Sequence, residues 1–155
     1  MKAGDKPLRV VVDTNVLFSA LAFPADSPPS KVFRLMLDGR VDAFGSSFIV
    51  TELEQTLRTK ARWDDEQLRA LRRRLKSALI QIAPTTRLSV IKRIDVDNRI
   101  LECAVDAHAE VLITGNMKDL RPLGTFQDVV ILTPREFLAR YFPKLGTTWQ
   151  AMTTI

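Results

Sequence analysis

The sequence predicts an α/β fold, a three-layer α/β/α sandwich around a mostly parallel central sheet. Three observations predict it. Apolar runs without polar alternation, at 8–12, 110–114 and 129–132, read as strands buried on both faces. Segments with apolar residues at helical spacing separate them, and strands alternating with helices pair in parallel through right-handed crossovers. Two of the runs also end in polar turns, at Asp13 and at Asn116 and Asp119, where open α/β sheets present their ligands.

The run 8–12 stops at Asp13-Thr14-Asn15, after which Val16, Leu17, Ala20 and Leu21 recur at helical spacing. Asp, Thr and Asn all cap helices, so Asp13 by itself reads equally as a cap or as part of a site. Three prolines make 23–29 a loop. Ser30 is placed to cap a helix through Leu37, with Gly39 as its C-terminal stop. A short strand is expected at 41–44. Ser46 and Ser47 then start a helix from near Phe48 to about Thr59. Ile49, Val50, Leu53 and Leu57 form its apolar stripe, while Glu52 and Glu54 fall on opposite flanks. Periodicity does not choose between these two acids.

Leu68, Leu71, Leu75, Leu79 and Ile82 share one face of a helix expected over 65–82, ended by Pro84. The stretch 90–94 has no assignable pattern. Asp95-Val-Asp97-Asn98 opens a helix to about Ala109. Asp97 precedes Ile100, Leu101 and Ala104 by three, four and seven residues, so it projects along the core-facing stripe. A cap accounts for an Asp here but not for that aim. Beyond the strand at 110–114 lies the polar turn 115–119. Thr133-Pro-Arg-Glu136 is a capping box with Pro at the first helical position, starting a helix to about Phe142. One domain is expected over 1–143, with 144–155 as a C-terminal tail. No repeat or low-complexity tract interrupts it.

Composition narrows the chemistry. With 155 residues, 46% hydrophobic and 26% charged, the chain is one ordinary globular domain able to bury roughly two-thirds of its unfolded surface. Its single cysteine excludes an intramolecular disulfide and points to a reducing compartment. No apolar run reaches transmembrane length and the start has no signal-like apolar region, so the expectation is a cytoplasmic protein with no membrane contact. One histidine, His108, excludes a histidine-based triad or a multi-histidine zinc site. Between Arg58 and Lys76 eight basic residues stand against three acidic ones, a surplus of +5 that equals the net charge of the whole chain. A polyanionic partner held by Arg69, Arg72, Arg73 and Lys76 fits this segment; a solvated amphipathic face is the plainer alternative.

Any acid–base or metal chemistry must therefore rest on carboxylates. Asp13, Asp97, one of Glu52 and Glu54, and the Asn116/Asp119 turn suit a hard cation, Mg²⁺ or Mn²⁺, which takes oxygen ligands and bridges to phosphate. Such an ion can activate water against a phosphodiester. A haloacid-dehalogenase-type phosphatase wants a second Asp two positions after the first, where this chain has Asn15. A response-regulator receiver wants an acidic pair where this chain has Val12-Asp13. No phosphate-loop motif is present.

Taken together, VVVDTNVLFSAL, SSFIVTELEQTL, DVDNRILECAVDAHAEVLITGNMKDL and VVILTPREFL resemble the PIN-domain family, in particular its VapC-like toxin components of toxin–antitoxin systems. The resemblance spans about residues 9–138. It implies a Mg²⁺-dependent ribonuclease, with Mn²⁺ as a substitute, a small antitoxin protein and a second copy of the chain as partners, and RNA as substrate. It places the family's acids on Asp13, Glu52 and Asp97, with Thr14, Asn15 and Thr114 as supporting polar residues. Many relatives continue T-x-D-x-D, whereas this chain has Thr114-Gly115-Asn116-Met117-Lys118-Asp119. Asn116 is then the remaining metal-ligand position and Asp119 the remaining catalytic acid, with a second metal bound more weakly. A catalytically weak PIN domain that binds RNA or protein is the competing class.

Overall fold

The computed structural model describes residues 6–23, 25–91 and 95–145. Trp149 and most of the expected tail lie outside them, as does most of the unassigned stretch 90–94. The first strand, β1 (Leu8–Val12), is followed by α1 (Thr14–Ala22) and α2 (Pro28–Leu37). Then come β2 (Val41–Gly45), α3 (Ser47–Lys60), α4 (Asp65–Ala78) and the two-residue β3 (Ile80–Gln81). After residues 82–91, which form no helix or strand, come α5 (Asp95–Asp106) and β4 (Val111–Ile113). A 3-10 turn (Arg121–Leu123), β5 (Thr125–Phe126), β6 (Val129–Leu132) and α6 (Pro134–Tyr141) complete the order.

The six strands lie in the order β3-β2-β1-β4-β6-β5, all parallel except β5, which runs antiparallel to β6. α5 packs across β1, β2 and β4, while α1 packs on α2 and α3, and α2 on α4 and α6. The result is the expected three-layer sandwich. Val10, Val11, Val111, Leu112 and Ile113 are fully buried, as unbroken apolar runs require in a sheet covered on both faces. From β1 the chain builds outward to β2 and β3, then crosses back to place β4 on the other side of β1. The carboxyl ends of β1 and β4 therefore flank the switch point of the sheet, where a crevice opens.

Two local expectations are corrected. The helix expected to be capped at Ser30 is capped at Ser27, whose hydroxyl accepts from Ser30 N at 3.4 Å. Pro28 and Pro29 fill its first turn, where their missing N–H groups cost no intrahelical bond. The helix expected over 65–82 stops at Ala78, and Leu79 is extended at φ −129°, ψ 126°. Ile80 and Gln81 pair with Phe44 and Gly45 as a short edge strand instead. Gly45 permits that corner: a Cβ there would lie 2.8 Å from Leu79 Cδ2. Tertiary pairing has overridden the helical period.

Candidate functional site

Asp13 follows the last residue of β1 and occupies the cap position of α1, but its carboxylate makes no cap hydrogen bond. It accepts instead from Thr114 Oγ1, at the end of β4, at 2.7 Å. Only 4% of Asp13 is exposed. Its pKa is raised to about 6, first by burial and then by the charge of Asp97, against the Thr114 hydroxyl and the Thr14 and Asn15 amides, which pull it down.

Asp97 sits in the first turn of α5, buried as its place on the apolar stripe predicts. Its Oδ2 accepts from Asn116 Nδ2 at 3.0 Å. The 114–119 turn joins the two acids. Thr114 Oγ1 accepts from Asn116 N at 3.0 Å, and Gly115 N donates to Asn15 Oδ1 at 3.1 Å. Asn116 Oδ1 accepts from Lys118 N and Asp119 N, at 3.1 and 3.0 Å. Thr14 Oγ1 is buried with no hydrogen-bond partner among the described residues.

The structure thus brings Asp13, Asn15, Asp97, Thr114 and Asn116 into one hydrogen-bonded and electrostatically coupled group, with Thr14 adjoining. Among the described residues no third carboxylate, imidazole or thiol forms a metal-holding group with Asp13 and Asp97, so neither Glu52 nor Asp119 completes one. The two glutamates of α3 nonetheless differ. Glu54 is held by Arg72, with Nη2 2.6 Å and Nε 3.1 Å from Oε1. The half-buried side chain of Glu52 has no hydrogen bond or ion pair among the described residues.

The residues present fit a hard divalent cation. The two buried carboxylates offer only oxygen, and Mg²⁺ is commonly held by one or two carboxylates with waters completing its shell. Beside the acids opens a groove of about 450 Å³ whose lining includes Asn15, Ser19, Pro28, Gly115, Pro134 and Arg135. The sequence reading missed this groove, because its walls come from three helices and a turn with no shared motif.

On α4, Arg69, Arg73 and Lys76 are exposed, whereas Arg72 is engaged by Glu54. A second feature missed in the sequence is a polar ridge on α5. Asn98, Glu102 and Asp106, each four residues apart, hold the segment 86–91 against the helix. Asn98 bonds both the N–H and the C=O of Ile91 at 2.8 Å, Glu102 accepts from Leu88 N at 2.8 Å, and Asp106 accepts from Thr86 N at 2.9 Å. The i, i+4, i+8 spacing of acceptors was the available signal.

A family model described as a PIN domain matches residues 9–118. Among solved structures, VapBC2 from Rickettsia felis bound to a DNA fragment from their promoter is similar in fold. Its TM-score is 0.55 at 15% identity, covering 80% of this chain and 97% of that one. No curated protein matches the chain.

Proposed function

Because the chain belongs to the PIN-domain family, we propose that it is a divalent-metal-dependent endoribonuclease, the toxin of a type II toxin–antitoxin pair. The observation that carries this reading is the pair Asp13 and Asp97, buried together at the switch point of the sheet. Asp13 and Asp97 would hold Mg²⁺ or Mn²⁺; when bound, the ion supplies a Lewis acid for the phosphodiester and an activated water.

The chain's own groups prepare that site. Thr114 fixes the Asp13 carboxylate by donating to it, and Asn15 ties the 114–119 turn to α1. Glu52, whose side chain has no hydrogen bond or ion pair among the described residues, is the third acid of this reading. Asp119, in the turn that Asn116 closes, is the remaining acid. The groove beside the acids receives the flanking RNA, with the exposed Arg135 at its lining as a phosphate contact. Arg69, Arg73 and Lys76 hold more of the backbone. Similarity to VapBC2 supports an antitoxin partner, and a homodimer belongs to the same reading. No helix among the described residues is long and apolar enough to cross a membrane; the proposed compartment is the cytoplasm.

The competing reading, a weakly catalytic module that binds RNA or protein, draws on one observation: just two acids are grouped among the described residues. A cleavage assay on structured RNAs separates the two. Wild type should cut in Mg²⁺ or Mn²⁺ and stop in EDTA, and Asp13→Asn should lose at least about a hundredfold, the scale on which one positioned catalytic group counts. Asp13→Asn activity within a few-fold of wild type would return the chain to the binding class.

A further inference from the structure

The orientation of Asn116 bears on how many cations the site holds, and the inference rests on the metal-dependent reading above. An amide oxygen can only accept hydrogen bonds and an amide nitrogen can only donate them. The acceptor Oδ1 faces two backbone donors, Lys118 N at 3.1 Å and Asp119 N at 3.0 Å. Rotating the amide by a half-turn would set its NH₂ against both N–H groups, so the hydrogen-bond network fixes which end points where. The end that meets Asp97 Oδ2, at 3.0 Å, is the donor.

The backbone locks the residue as well. Asn116 N donates to Thr114 Oγ1 at 3.0 Å, and its carbonyl accepts from Arg121 N at 2.9 Å. Ligating a cation through Oδ1 would break two backbone hydrogen bonds and remove the donor from Asp97. The amide also engages an Asp97 oxygen that a second ion would need, and among the described residues no third carboxylate is grouped with the pair. Two-metal sites hold ions about 3.5–4 Å apart, a density of positive charge that calls for more anionic ligands than two.

We infer that Asn116 is a positioning residue rather than a ligand: its fixed amide donor stands at Asp97 in a cation's place, so that Asp13 and Asp97 hold one divalent ion per chain. Asn116→Asp replaces that donor with an acceptor of the same shape and adds the missing charge, opening a second position. Asn116→Ala removes the donor without adding charge and leaves the count at one.

The test is Mn²⁺ titration of the purified full-length chain, read by calorimetry and by electron paramagnetic resonance, with a thermal melt to confirm folding. Wild type and Asn116→Ala should bind one Mn²⁺ with no manganese–manganese coupling. Asn116→Asp should bind two and show the coupled spectrum. Two ions in wild type would overturn the inference, as would a folded Asn116→Asp that still binds one. Should Asn116→Asp not fold, the wild-type count and spectrum decide alone. A wild type that binds no Mn²⁺ would instead overturn the metal-dependent reading itself.

Discussion

Asp13 carries a stability consequence that follows from its surroundings. Its carboxyl titrates near 3.8 in the unfolded chain and near 6 in the folded one. The folded state then binds the proton more tightly, so this group lowers stability as pH rises from below 4 through 6, and the full effect persists above that. The two values convert to about 3 kcal/mol near neutral pH. Asn in its place keeps an acceptor for Thr114 without the charge. In EDTA, Asp13→Asn should therefore gain stability over wild type between pH 4 and pH 7.5, the difference vanishing at the acid end. Thermal melts across that range check it; a variant less stable than wild type throughout would mean that the charge is not strained there. Added Mg²⁺ should restore wild type by up to about 2.7 kcal/mol at a hundredfold excess over its dissociation constant, and the variant by much less.

Helix α5 carries two predictions. α5 is held to the preceding stretch by Glu102, which is 3% exposed, bonded to Leu88 N and paired with Arg99 at 2.9 Å. Truncation leaves a buried amide and an arginine without that partner, and breaking such a pair costs about 3 kcal/mol or more. Glu102→Ala should lower the unfolding free energy by that amount, read by denaturant titration. Glu102→Gln, which keeps the acceptor, should lose less. At the other end of α5, His108 adopts φ 51° in the position after the helix where glycine is favoured. His108→Gly should relieve that strain and stabilise by about 1 kcal/mol, at the low end of the left-handed penalty. Denaturant midpoints at constant slope check this too.

Across the whole molecule, charge is divided between the buried acids at the switch point and the cations of 58–76. Arg72, bound to Glu54 at 2.6 Å, already has an internal counter-charge, while Arg69 and Arg73 make no hydrogen bond to described residues. RNA binding should register that difference. Replacing Arg69 and Arg73 by Gln should reduce the log–log salt slope by about 0.7 for each lost phosphate contact on single-stranded RNA. Arg72→Gln should change the slope less. Equal slopes for wild type and the double variant would make α4 a solvated face that holds no RNA.

The sequence by itself determined the class of fold and the order of the main elements, and it singled out the acids of the candidate site. Buried parallel strands and amphipathic helices leave periods of two chemistries that are local in the chain, and Asp97 is aimed inward by its own helix. Caps inside a few residues were equally legible where acceptor and donor are close in sequence, as at Thr133 and Glu136. Only the tertiary structure decided what depended on a distant partner. Asp13 became something other than a cap because Thr114, 101 residues on, supplies its hydrogen bond. Glu54 was set apart from Glu52 by Arg72, 18 residues away on another helix. Ile80 and Gln81 left their helical period because β2 offered an unpaired edge. Asn116 turned its donor to Asp97 because two backbone amides claimed its oxygen. Periodicity reports which face is apolar; it carries no information about which polar group from elsewhere in the chain will meet a given side chain.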